Sequence, residues 1–147
     1  MNQTDQKIAV LKRLREMLLR QKEKLQNYLS LLEQEEGSIV HGETERLLVQ
    51  VEMEQTIIAD IFTLKRVIEP LETLYQAAYP GTESTVPALK DALEDMGRQV
   101  IARNSHNREL LRERMDDLRR EITSLRAWPK AGSPFAAGVP RLVDITT

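Results

Sequence analysis

Few side chains in this sequence can do chemistry. Its two histidines, His41 and His106, are the first candidates for metal binding or proton transfer. His41 stands two residues before Glu43, a spacing that does not share a helix face, and both fall in a glycine-flanked turn. His106 and Glu109 are three apart and can share a face. A metal site inside a helical bundle also needs matching carboxylates and a second Glu-x-x-His. Glu52 and Glu54 are available, but nothing pairs them with such a motif. Both histidines are therefore expected at the surface. There is no Gly-rich phosphate loop, nucleophile elbow, His-Glu-x-x-His or twelve-residue calcium ladder. The acidic cluster Glu33, Glu35 and Glu36 is expected to face solvent. The sequence thus predicts no catalytic residue, metal or cofactor, and a protein that is not an enzyme.

The unusual polar residues are two amides, Asn104 and Asn107. They lie on an apolar seam that repeats every eleven residues. Leu93, Asn104 and Met115 form one series, Met96, Asn107 and Leu118 a second, and Val100, Leu111 and Ile122 a third. Eleven residues per three turns nearly matches the α-helical period, so such a helix runs almost straight with a slight right-handed drift. An amide on the seam weakens packing but can set register, or it can hydrogen-bond a helix from another protein. The spacing leaves both roles open. Arg103 and Arg108 flank the pair and reach for water.

Three helical segments must position these residues. The first is expected over about 5–36, capped by Thr4 or Asp5. Its a/d seam is Leu11, Leu14, Leu18, Leu25, Tyr28 and Leu32, with Gln21 on the same line. At ~1.5 Å per residue it would be about 50 Å long. Gly37 to Gly42 supplies a reversal, with the helix either stopping at Gly37 or running on through Ile39. The second segment covers about 43–78. Its apolar side, Leu47, Leu48, Val51, Ile58, Ile61, Phe62, Val67, Ile68, Leu71 and Tyr75, is widened by Ile57, Leu64 and Leu74. A stripe that broad predicts two neighbouring helices. Pro70 removes a bond to the Arg66 carbonyl and predicts a kink, or a helix ending near Ile68. The third segment covers about 85–127, with Ser84 or Thr85 as cap and Pro87 in the first turn.

Composition agrees. The chain has 147 residues, 41 % hydrophobic and 30 % charged, with only 4 % aromatic. That mixture suits long amphipathic helices. A net charge of −2 with interspersed signs offers no basic field for nucleic acid or anionic lipid. There are no cysteines, which removes disulfide and thiolate chemistry. No segment is apolar enough to insert into a membrane, and the polar N-terminus lacks a signal-peptide core, so a cytoplasmic protein is expected. Residues 128–147 change character, with Pro129, Pro134, Pro140, Gly132 and Gly138 opposing helix. They read as an extended, partly flexible tail, in which Trp128, Leu142, Val143 and Ile145 could dock. The expected fold is all-α: a long antiparallel three-helix bundle or coiled coil over 1–127, then the tail. The leucine doublets Leu18-Leu19, Leu31-Leu32, Leu47-Leu48 and Leu110-Leu111 exceed what one stripe needs. The surplus predicts a groove for a partner's amphipathic helix, or a homodimer.

This pattern resembles the FlgN-type flagellar export chaperones. The residues are Leu31-Leu32-x-x-Glu35, a glycine turn ending at Gly42, Leu47-Leu48 and the charged-apolar run to Lys65 and Arg66. The most specific part is Asn104-x-x-Asn107-x-x-Leu110-Leu111, followed by Met115, Leu118, Ile122 and Leu125. The resemblance implies a chaperone that binds the C-terminal helices of hook-associated (hook–filament junction) proteins in the cytosol. It would keep them unassembled and deliver them to the type III export gate. It places the client surface in the C-terminal part, where the candidates are Asn104, Asn107, Leu111, Met115, Leu118 and Ile122. Family members often carry a late tyrosine for gate docking. Here no tyrosine follows Tyr79, so the resemblance carries over no docking residue, and Trp128 stands as a candidate substitute. The competing expectation is a structural coiled-coil adaptor or self-associating scaffold with no secreted client.

Overall fold

A computed structural model describes residues 2–81 and 83–127. They form three helices, α1 (Gln3–His41), α2 (Thr44–Ala78) and α3 (Thr85–Ala127), and no strand occurs among the described residues. The protein is all-α, as its periodicity predicts. The chain divides into two units, Met1–Asn107 and Arg108–Thr147. Trp128, Leu142, Val143 and Ile145 lie outside the described residues.

The first unit is an up-down-up bundle. Lys24 pairs with Asp60 at 3.0 Å, and the Gln21 Nε2 donates to the Ile61 carbonyl, which sets α1 and α2 antiparallel. Val86 at the start of α3 packs with Leu14, Met17 and Leu18 of α1, and further along the Asn107 amide meets Leu32 and Arg103 meets Glu33 at 3.1 Å, which sets the first part of α3 parallel to α1. The core gathers Leu14, Met17 and Leu18 of α1, Ile68 and Tyr75 of α2, and Val86 of α3. Val10, Leu11, Leu64, Leu71, Leu89 and Leu93 pack around them. Each fully buried aliphatic side chain contributes about 1.5–3 kcal/mol. Met17 and Leu31 are also buried, beside the predicted seam rather than on it.

Several boundaries differ from the sequence expectation, each for a local reason. The cap of α1 is Asn2, whose Oδ1 accepts from the Asp5 N–H at 2.7 Å, not Thr4 or Asp5. The helix does not stop at Gly37. Running on buries Ser38 and Ile39, and that outweighs one helical glycine. It ends instead at Gly42, in the left-handed region at φ 69°. There the Gly42 N–H bonds the Ile39 carbonyl and the Glu43 N–H bonds the Ser38 carbonyl at 2.8 Å, the paired closure of a Schellman motif. The connection is therefore two residues, not six.

Helix α2 continues through Pro70. Pro70 is exposed, so its ring sits where the lost bond to Arg66 faces water. The apolar side of α2 is only partly covered. Ile68 and Tyr75 are buried, whereas Leu48, Val51, Phe62, Val67 and Leu74 are exposed. Neither Ser84 nor Thr85 supplies the side-chain cap of α3. Glu83 takes that role, accepting from the Thr85 N–H at 2.8 Å and the Val86 N–H at 2.9 Å. The Thr85 hydroxyl also donates to this carboxylate. Because the Tyr75 hydroxyl donates to Glu83 at 2.9 Å, the α2–α3 turn is clamped to the core.

Candidate functional site

The chemistry-bearing side chains fall into a buried polar layer in the first unit and an apolar seam in the second. The layer begins at Tyr28 of α1, whose hydroxyl donates to Glu54 Oε1 of α2 at 2.6 Å. Glu35 of α1 hydrogen-bonds the same Glu54, and Gln50 of α2 is buried nearby in sequence. Glu35 is only 5 % exposed, so it does not face solvent with its neighbours. The a/d line from Tyr28 through Leu32 reaches Glu35 and Ile39 next, which carries the carboxyl inward. Burial, together with the hydrogen bond and charge of Glu54, pushes its pKa up to about 8. Near neutral pH it is largely the protonated partner of Glu54, a carboxylic acid able to donate a bond. The other two acids behave as expected: Glu33 pairs with Arg103, and Glu36 lies 3.6 Å from His106.

Asn107 is a further buried polar residue of the first unit, 5 % exposed, with Nδ2 donating to the Leu32 carbonyl at 2.9 Å. Its position inside the first unit is that of a register-setting amide, not of a side chain open to a client. Asn104 is half-buried. Both histidines are exposed, and His41 Nδ1 lies 2.7 Å from the Gly37 carbonyl oxygen, to which an N–H there donates. Among the described residues no group of three His, Cys, Asp or Glu could hold a metal ion. A groove of about 580 Å³ opens at the α1–α2 hairpin, bordered by Gln34, Ser38, His41, Val49, Gln50 and Met53.

The second unit is described over 108–127, the last part of α3. Here the seam tightens from the eleven-residue pattern to a 4-3-4-3 spacing: Leu111, Met115, Leu118, Ile122 and Leu125. Leu111 is 39 % exposed, Met115 43 %, Leu118 52 % and Leu125 64 %, with Ile122 half-buried. One stripe of this helix therefore carries large apolar side chains open to solvent. Of the candidate client residues, Leu111, Met115, Leu118 and Ile122 share this stripe. Leu125 belongs with them by the same spacing. The side chains bordering the stripe are charged, with Arg112 near Glu109 and Arg119 near Asp116 at 3.7 and 3.8 Å.

Among the described residues no helix is long and apolar enough to cross a membrane. No family model and no solved structure matches the chain. It is 33 % identical over 121 residues to an uncharacterized protein of Treponema pallidum (strain Nichols), an alignment covering 82 % of this chain and 78 % of that protein.

Proposed function

The chain belongs to the same family as this Treponema pallidum protein, and we propose that it acts as a cytoplasmic flagellar type III export chaperone. It binds the C-terminal helices of hook-associated proteins, keeps them from assembling early and hands them to the export gate. The mechanism is occlusion. The client's assembly helix lies along the α3 stripe and is unavailable to its own partners while bound. One observation carries the reading: Leu111, Met115, Leu118 and Leu125 are exposed along one apolar stripe. The resemblance of Asn104-x-x-Asn107-x-x-Leu110-Leu111 and the residues after it to FlgN-type chaperones supports it. The same stripe would serve a self-associating scaffold, which is the second reading.

Mixing the full chain with C-terminal fragments of hook-associated proteins tests the proposal. A 1:1 complex of micromolar or tighter affinity with at least one fragment is expected, in the usual range for a helix buried in a groove. Failure to bind any fragment overturns it.

A further inference from the structure

The charges beside the α3 stripe are sorted by sign. Arg112, Arg119 and Arg126 each follow directly on a stripe leucine, Leu111, Leu118 and Leu125, and so recur every seven residues along one border. On the other border Arg114 precedes Met115 and Glu121 precedes Ile122. At 100° per residue these positions lie about 60–100° from the stripe's midline. The acids Glu109, Glu113, Asp116 and Asp117 lie at about 120° or more, toward the opposite face. The bases of this segment are all arginine, the side chain suited to forked bonds with carboxylates at an interface. Arg112 and Arg119 rest against Glu109 and Asp116 on the same helix, at 3.7 and 3.8 Å and largely in solvent. Such pairs are weak and readily exchanged for a partner's carboxylate.

This sorting discriminates between occupants. A second copy packed antiparallel would set the arginine border against itself, with Arg119 facing the Arg119 of the other copy. Packed parallel, Arg114 would face the other copy's Arg119, and only Glu121 with Arg126 would attract. A foreign helix bordered by acids satisfies Arg112, Arg114, Arg119 and Arg126 together and opposes only Glu121. We propose that the α3 stripe takes an amphipathic helix whose own apolar face is bordered by aspartate or glutamate, and not a second copy of this chain. The proposal rests on the docking role assigned to the stripe above and adds the chemistry of what docks.

Two synthetic three-heptad peptides test it, identical in their leucine and isoleucine stripe, one with glutamate and one with lysine at the bordering positions. The full chain is expected to bind the glutamate peptide about tenfold more tightly, as several weak surface pairs together allow. High salt should shrink the preference. The triple variant Arg112→Glu, Arg119→Glu, Arg126→Glu should invert it while keeping its helical signal. Equal binding of the two peptides, no binding of the glutamate peptide, or a tight dimer of the chain that excludes it overturns the proposal. Hook-associated fragments separate this from the broader reading. If they bind the triple variant as tightly as the native chain, the charge proposal fails and the chaperone reading stands. If the glutamate preference appears but no fragment binds, the reverse holds.

Discussion

The Asn107 amide donates from Nδ2 to the Leu32 carbonyl oxygen at 2.9 Å, joining α3 to α1 across 75 residues of chain. Its own Oδ1 is buried with no partner. An amide half satisfied in this way stabilises little, but it allows one register, because sliding α3 by a turn would strand it among apolar side chains. Asn107→Leu is therefore expected to melt at the native temperature or a few degrees higher. Asn107→Asp, which loses the donor and buries a carboxyl, should cost about 2–3 kcal/mol. Thermal denaturation followed by circular dichroism reads both, and a Leu variant that melts far lower contradicts the register role.

The carboxyl pair Glu35 and Glu54 gives the bundle a pH dependence of definite sign. Burial and the bond to Glu54 raise the Glu35 pKa from 4.5 to about 8. The folded state therefore holds this proton over a range in which the unfolded chain has released it. That stability is fully present below about pH 4.5 and is lost progressively as pH rises through about 8. The midpoint of urea unfolding should fall across this interval, after other groups are allowed for. Glu35→Gln, which stays neutral and can still donate to Glu54, should flatten the dependence. A native chain and a Gln variant with parallel pH profiles would exclude the mechanism.

At the other end of the bundle Glu83 works in the opposite direction. Burial pushes its carboxyl up, but the Thr85 hydroxyl, the Val86 and Thr85 N–H groups and the Tyr75 hydroxyl together outweigh this and hold its pKa at about 2. Its contribution is present above about pH 4.5 and is lost as pH falls toward 2. Glu83→Ala removes the cap of α3 and should cost about 1 kcal/mol at neutral pH. Tyr75→Phe, which removes one of the four donors, should cost less. Acid unfolding of the two variants checks the order.

The long periodic segments were legible because burial of a stripe imposes its period on the sequence. Leu14, Leu18, Tyr28 and Leu32 are buried where the a/d spacing puts them. The misplaced features are those in which a local cue lost to a tertiary one. Gly37 looks like a stop, yet Ile39 beyond it gains more by continuing the helix. Glu35 looks like a solvent acid because two acids adjoin it, although its position on the seam marks it as interior. The cap of α3 was missed because glutamate is a weak cap by itself. It is effective here because Tyr75, remote on α2, steadies it. Asn107 and Leu111 continue one seam, and no feature of that spacing tells that the first is covered and the second is not.

Core and stripe should respond differently to the same loss of side chain. Leu14 is wholly buried in the core of the first unit, so Leu14→Ala should cost about 2–5 kcal/mol. Leu118 is half exposed, and Leu118→Ala should stay within about 0.5 kcal/mol of the native chain. A large loss on the second substitution would mean that the stripe is structural and not reserved for a partner.

The most direct test is calorimetric titration of a hook-associated C-terminal fragment into the full native chain and into its Met115→Ser, Leu118→Ser variant. One fragment per native chain is expected, and at least tenfold weaker binding to a variant that melts at the same temperature, as loss of two central apolar contacts implies. Undiminished binding by the variant, or no heat of binding with any such fragment, contradicts it.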